Sequence, residues 1–202
     1  MKRALVVIDV QNEYVTGGLP IAYPAPAISL ANIAAAVDTA TQESVPVVVV
    51  QHVAPAGAPL FARGTHGSAL HDVVASRRHD HLVEKSFPSA FIGTDLDEWL
   101  RRAGVDTLTI AGYMTQTCDE STARHASQLG YRVELLSDAT GALALSNRAG
   151  SLSAAEIHHA VLVVVQAFFA YTATTAEWVD AIRGKSPLGT PDFAAAMDPG
   201  QA

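Results

Sequence analysis

The sequence predicts a Rossmann-like, three-layer α/β fold: one doubly wound, mostly parallel sheet of five to six strands with helices on both faces. Three observations carry that expectation. Short runs such as ALVVIDV (Ala4–Val10) and PVVVVQHV (Pro46–Val53) are apolar throughout rather than alternating, as strands covered on both faces are. These runs alternate with segments of helical periodicity. No repeat, linker or shift of composition divides the 202 residues, so one domain, 1–185, followed by an irregular tail, 186–202, accounts for the chain.

The first strand, Ala4–Val10, gives way to polar QNEYVTGG. A helix opens near Pro26, where a missing N–H is tolerated in the first turn, and carries Leu30, Ile33 and Val37 on one stripe. Pro46–Val53 is the second strand. Residues 54–80 hold Pro55, Gly57, Pro59, Gly64 and Gly67 and read as a long irregular excursion with at most one short helix. Loops of that length in a compact domain are usually functional or mobile. His81–Lys85 is a short strand, and Thr94–Gly104 a helix with Thr94 as N-cap and Gly104 as its stop. Thr107–Gly112 and Tyr131–Ala139 are strands; between them a helix runs from Thr117 to Leu129, ended by Gly130. Thr117 and Glu120 have capping-box spacing, which puts Cys118 at the first helical position. Ser153 and Glu156 repeat that signature ahead of a stripe of Ile157, Val161, Val164 and Phe168. A strand at Phe169–Thr172 and a helix at Thr175–Arg183 complete the pattern. The tail has no periodicity and is expected to be loose unless Phe193 docks on a partner subunit.

With 49% hydrophobic and 16% charged residues the composition is globular. A net charge of −7, with no basic cluster longer than Arg77-Arg78 or Arg101-Arg102, argues against nucleic acid. It leaves a small, uncharged or cationic substrate as the expected partner. Asp9 interrupts the N-terminal apolar run before a signal-peptide core forms, and Ala160–Tyr171, broken by Gln166, is too short to span a bilayer. A single cysteine cannot close an internal disulfide, which points to a reducing cytoplasm. Neither G-x-G-x-x-G nor G-x-x-x-x-G-K-[ST] follows the first strand, which removes the common nucleotide-binding loops.

In doubly wound sheets the site lies outside the carboxyl ends of the strands. Three chemically different side chains stand there. Asp9 emerges from the most buried part of the sheet, where a carboxylate is costly unless paired or working, although it could simply satisfy loop amides. Lys85 ends its strand, a place where lysine is usually a solvated edge residue. Cys118 follows a central strand at a helix start, where aligned dipoles and free amides stabilise a thiolate; a small buried hydrophobe is the plain alternative. The acidic neighbours Asp119 and Glu120 oppose that thiolate. Together the three make a sensible set: the carboxylate takes the thiol proton, the thiolate attacks an electrophilic carbon, and the lysine favours both anions. Backbone amides around Met114 and Cys118 are the expected oxyanion donors.

These residues resemble the isochorismatase-like cysteine hydrolases, a family that includes nicotinamidases, N-carbamoylsarcosine amidohydrolase and isochorismatases proper. The resemblance runs in order through ALVVIDVQNEY, VEKSFPSAF, LTIAGYMTQTCDESTARHASQLGYRVELLSDATGA and AAEIHH, most of the chain. It implies a hydrolase with a triad of Asp9, Lys85 and Cys118, a non-proline cis peptide at Tyr113-Met114, and cleavage of a C–N bond in a small amide or ureido compound through a thioester. Vinyl ether hydrolysis with Asp9 as acid, or a catalytically silent binding protein on the same scaffold, are the rival readings. The resemblance also implies a homo-oligomer, dimer or tetramer, and pocket-lining roles for Tyr14 and Phe91, each of which could equally be core. His52, at the end of its strand, is the best pocket wall among the histidines. Two departures stand out: the residue after the cysteine is usually apolar, whereas here it is Asp119, and the Asp-x-His metal motif of nicotinamidases is missing from VQHVAPAG. Neither a metal nor another cofactor is therefore expected. His79 and His81 with Asp72 or Asp80 have only loose zinc-like spacing and read as solvated. His158 and His159 cannot both face the core and read as surface or interface residues.

Overall fold

The computed structural model describes residues 1–198. In chain order its first half contains β1 (Arg3–Ile8), α1 (Pro26–Gln42), β2 (Val47–His52), α2 (Asp72–Ala75), β3 (His81–Lys85) and α3 (Leu96–Arg102). The second half contains β4 (Thr107–Tyr113), α4 (Glu120–Gln128), β5 (Arg132–Gly141), β6 (Leu145–Asn147), β7 (Gly150–Leu152), α5 (Ala154–Phe168), β8 (Tyr171–Ala173), α6 (Thr175–Ile182) and α7 (Phe193–Ala196). A 3₁₀ turn (Asn12–Tyr14) follows β1, and a π-helical turn (Thr115–Asp119) joins β4 to α4.

Six strands form one sheet in the order β3-β2-β1-β4-β5-β8, every neighbouring pair parallel. The chain winds outward in one direction from β1 and then in the other from β4, so the order reverses between those two strands. Their register pairs Ile8 with Gly112 at the carboxyl ends. This is where the doubly wound rule puts a site.

Burial on both faces explains the unbroken apolar runs. In β1, Ala4, Val6 and Ile8 join one core with Leu96, Leu100, Ala123, Ala126 and Val165 from α3, α4 and α5. Leu5 and Val7 join the other with Ile33, Val37 and Trp178 from α1 and α6. Each such side chain contributes about 1.5–3 kcal/mol on burial, enough to fix the strand without any alternation. One buried carboxylate is fully satisfied: Glu134 pairs with Arg3 at 2.8 Å and accepts from Thr109 Oγ1 at 2.8 Å.

Several elements differ from expectation. α3 starts at Leu96 with Asp95, not Thr94, at the N-cap position and no cap bond from its side chain; the Thr94 hydroxyl donates to the Ala90 carbonyl at 2.6 Å and accepts from Leu96 N at 3.4 Å. The buried face of α5 is Ala154, Ile157, His158, Val165 and Ala167, whereas Val164 and Phe168 are exposed. The last strand is Tyr171–Ala173, because Phe169 and Ala170 still donate to the Val165 carbonyl at the end of α5. β6 and β7 form an antiparallel hairpin whose residues are all exposed, so no apolar pattern marks it. In the tail Phe193 packs its ring 5.0 Å from that of Phe168, and the Leu188 carbonyl accepts from Arg132 Nη2 at 2.9 Å; residues 199–202 of that tail lie outside the described residues. Among the described residues no helix is long and apolar enough to cross a membrane.

Candidate active site

The first side chain arrives at a sharp turn. After β1 the backbone of Asp9 takes φ 50°, a left-handed conformation that aspartate tolerates better than most residues. Gln11 N donates to the Asp9 carbonyl at 2.8 Å, which closes the turn. The Gln11 side chain then does what another strand residue would do: it donates to the His52 and Ser68 carbonyls at 2.9 and 2.7 Å and accepts from His52 N at 2.9 Å. This ties the ends of β1 and β2 to the 54–80 excursion, a function that no pattern in QNEY reveals.

Lys85 comes from two strands away. In β3, Val83 and Lys85 are buried while Leu82 and Glu84 are exposed, so the lysine points to the face that holds Ile8 and Val50. Register with His52 lets it reach across β2. Its ammonium has three N–H groups and three partners: Asp9 Oδ2 at 2.6 Å, Cys118 Sγ at 3.2 Å and His52 Nδ1 at 3.3 Å. Asp9, Lys85 and Cys118 are all at most 4% exposed. The structure therefore brings together the three residues singled out at the strand ends, with His52 as a fourth member.

Cys118 does not sit at the first position of a capped helix. The segment Thr115–Asp119 is a π-helical turn in which Thr117 N and Asp119 N both donate to the Met114 carbonyl, at 3.0 and 3.2 Å. The Thr117–Glu120 capping box is absent; Glu120 instead accepts from Arg124 Nε at 2.9 Å. The Tyr113-Met114 peptide bond is cis.

Tertiary contacts hold the wider turn, and His158 is central to them. His158 is 2% exposed, not a surface residue: its Nε2 lies 3.0 Å from the Ser137 carbonyl and its Nδ1 3.0 Å from Thr115 Oγ1. A carbonyl only accepts, so Nε2 carries the hydrogen and Nδ1 accepts from the threonine. Its neighbour His159 stays outside, 3.2 Å from the Tyr23 hydroxyl. Burial first, then His159, pulls the His158 pKa down from 6.5 to about 4. A histidine depressed in this way contributes stability that is complete above pH 6.5 and is lost as pH falls towards 4, because the unfolded chain then binds the extra proton. In urea titrations the stability advantage of the wild type over His158→Gln is expected to shrink between about pH 7 and about pH 4.5. An advantage that stays constant over that range would mean that His158 is not held neutral.

Electrostatics reverse one sequence expectation. Burial, and after it Asp9, pushes the Cys118 thiol above its ordinary range, and Lys85 does not offset them. The resting group is therefore a thiol, not a helix-stabilised thiolate. Burial also raises Asp9 against the opposing pull of Lys85. Burial would lower Lys85, but Asp9 and Cys118 outweigh it and the net direction is up. His52 falls to about 4, by burial and then by Lys85, so it faces the ammonium as a neutral acceptor. The Cys118 thiol and the His52 backbone also bear on the Asp9 carboxylate, and both lower its pKa. A proton shared between Asp9 and Cys118 is the chemical degree of freedom this arrangement leaves open.

Around these groups stands an aromatic wall. Tyr14 packs its ring 5.2 Å from Phe61 and 5.7 Å from Tyr113, and His52 lies edge-on to Phe61 at 5.1 Å. Phe61 comes from the irregular excursion with φ 54°, a conformation no residue type in that stretch announces. Phe91 belongs to the apolar cluster that holds Cys118, with its ring turned to His125 and Tyr131 at 5.2 and 6.1 Å. His81 stacks on Trp99 and sits 3.0 Å from Asp95. Among the described residues no group of three or more His, Cys, Asp or Glu could hold a metal ion.

The isochorismatase domain model matches residues 3–177. The chain belongs to the isochorismatase family. It is 56% identical to an isochorismatase-type protein of Burkholderia xenovorans of known crystal structure, with a TM-score of 0.96 over 99% of this chain and 96% of that one. It is 36% identical over 137 residues to a secreted isochorismatase effector of Verticillium dahliae, which covers 68% of this chain and 71% of the relative. Nicotinamidase 3 of Arabidopsis thaliana is 32% identical over 181 residues, 83% of this chain and 82% of its own. This isochorismatase-family protein is a hydrolase, and its fold is the one its solved relatives share.

Proposed function

We propose that this hydrolase cuts a C–N bond of a small amide or ureido compound through a thioester at Cys118. The observation that carries the reading is the Lys85 ammonium, buried and shared among Asp9, Cys118 and His52 at 2.6–3.3 Å. Asp9 accepts the thiol proton as Sγ attacks the carbonyl carbon, and Lys85 holds both anionic groups. The backbone amides of Met114 and Cys118 receive the oxyanion. Collapse breaks the C–N bond, with the proton passing from Asp9 to the departing nitrogen. Water then attacks the thioester, releasing the acid and restoring the thiol. Every group this route needs is a side chain, a backbone amide or water. Tyr14, His52, Phe61 and Phe91 give the substrate a mostly apolar, aromatic surround. A reducing cytoplasm suits the reading, because the nucleophile has to stay a free thiol.

The second reading, Asp9 as acid towards a vinyl ether, draws on the raised Asp9 pKa. Hydroxylamine separates the two. Ammonia release from a panel of amides and ureides, with the acyl group diverted into a hydroxamate and Cys118→Ala as the blank, is the expected result. Vinyl ether hydrolysis that survives in Cys118→Ala, with no hydroxamate from any amide, would replace the thioester route with the acid route.

A further inference from the structure

Asp119 is a buried carboxyl that the route above does not use. It is fully buried, and neither of its oxygens has a hydrogen-bond partner, unlike Glu134, equally buried but held by Arg3 and Thr109. Native proteins leave few such groups, because each costs the free energy of an unpaired polar atom. Nor is it alone. Gln116 Oε1, on the same turn, and Thr140 Oγ1, on the residue in register with Gly112, are buried and unpartnered as well. All lie on segments at the carboxyl end of β4, where the nucleophile sits. Asp9 and Lys85 both act electrostatically on Asp119, and it acts in turn on Tyr14 and Tyr113, so its charge is felt by both the charged pair and the two tyrosines.

We propose that the Asp119 carboxyl is a specificity-determining group that pairs with a second amide, lactam or ureide edge of the substrate, an N–H and a C=O side by side, next to the bond cut at Cys118. The proposal rests on the amide-hydrolase reading for the chemistry but not for the binding. A carboxyl group meets such an edge with two parallel hydrogen bonds, accepting from the N–H through its carbonyl oxygen and donating its O–H to the C=O. Burial, and after it Asp9, holds the acid well above the usual carboxylate range, which favours the form that carries that O–H. An apolar substrate of the same size leaves the group as unpaired as before, so the site discriminates by the hydrogen bonds it would otherwise forfeit.

Malonamide and butyramide test this, since they are similar in size and share one primary amide, while only malonamide has the second edge. Protection of Cys118 from iodoacetamide measures binding of each without any need for turnover. Malonamide is expected to protect the wild type at lower concentration than butyramide. Asp119→Leu is expected to weaken protection by malonamide about tenfold and to leave butyramide unchanged, with Asp119→Asn, which offers the same donor and acceptor, restoring most of the difference. Asp119→Leu also removes an unpartnered buried carboxyl, so its unfolding midpoint is expected to rise, which serves as the folding control. Equal effects on both amides, no effect on either, no restoration by asparagine, or equal protection of the wild type by the two would each overturn the proposal. Protection by malonamide without ammonia release from any amide would instead sink the hydrolase reading and leave the role of Asp119 standing.

Discussion

Replacing Lys85 by Met is expected to cost about 3–5 kcal/mol of stability and about 10³-fold in activity. Both side chains of the Lys85–Asp9 pair are fully buried and 2.6 Å apart, so removal of the ammonium leaves a buried carboxylate without its counter-charge. Asp9 can escape only by taking up a proton, and a protonated Asp9 cannot accept one from Cys118. Loss of stability and loss of activity thus have one cause. The sign with pH follows. With Lys85 gone, the largest opposition to burial at Asp9 is lost, and its folded pKa, already above 3.8, rises further. The deficit is therefore expected to be smallest near about pH 4 and to grow as pH rises, because the folded state then holds a proton that the unfolded state has released. Urea midpoints across that range, with ammonia release at neutral pH, are the measurement. A second substitution, Asp9→Leu, is expected to recover most of the stability and none of the activity. A deficit below about 1 kcal/mol that does not vary with pH would show that the pair is not held in a dry environment.

Most of the sheet is legible because its strands are buried on both faces, and such burial writes itself as ALVVI or VVVV without alternation. Asp9, Lys85 and Cys118 are legible for a related reason, since each interrupts or follows a run that has no other use for a polar group. What the sequence leaves hidden depends on contacts from afar. TCDE has the spacing of a capping box, yet Thr115 is tied to His158 forty-three residues on, and the turn widens around the Met114 carbonyl instead. His158 itself carries a signal, one helical turn after Ala154 and next to Ile157, but the more apolar stripe through Val164 and Phe168 masks it. Those two side chains are 39% and 51% exposed, so hydrophobicity alone points the helix the wrong way. Phe61 has no signal at all: its position depends on a left-handed backbone inside an aperiodic loop. Burial pattern thus reveals where the candidate site is, whereas the turn that carries Cys118 is a tertiary property.

That turn depends on one glycine, and Gly112→Ala is expected to destabilise the protein by more than about 4 kcal/mol. A β-carbon there would lie 2.0 Å from the Ile8 carbonyl oxygen and 2.7 Å from Ile8 N, with φ at +126°. Both obstacles are backbone of the neighbouring central strand, so no rotamer change relieves them. Only separation of β1 from β4 would make room, at the point where Ile8 leads into Asp9 and Gly112 into Tyr113 and Met114. The register with β5 already shifts between Ile110 and Gly112, an irregularity of the kind that re-aims a strand end beside a site. For a chain of this length the loss corresponds to a fall of roughly 8 °C or more in unfolding midpoint. Gly130→Ala separates the clash from the conformational cost, since Gly130 has φ +89° with nothing within 4 Å of the added carbon. It is expected to lose only about 1–2 kcal/mol. Similar midpoints for the two variants would mean that β1 and β4 part readily, in which case the close approach of the strands is not what holds Asp9 against Lys85 and Cys118.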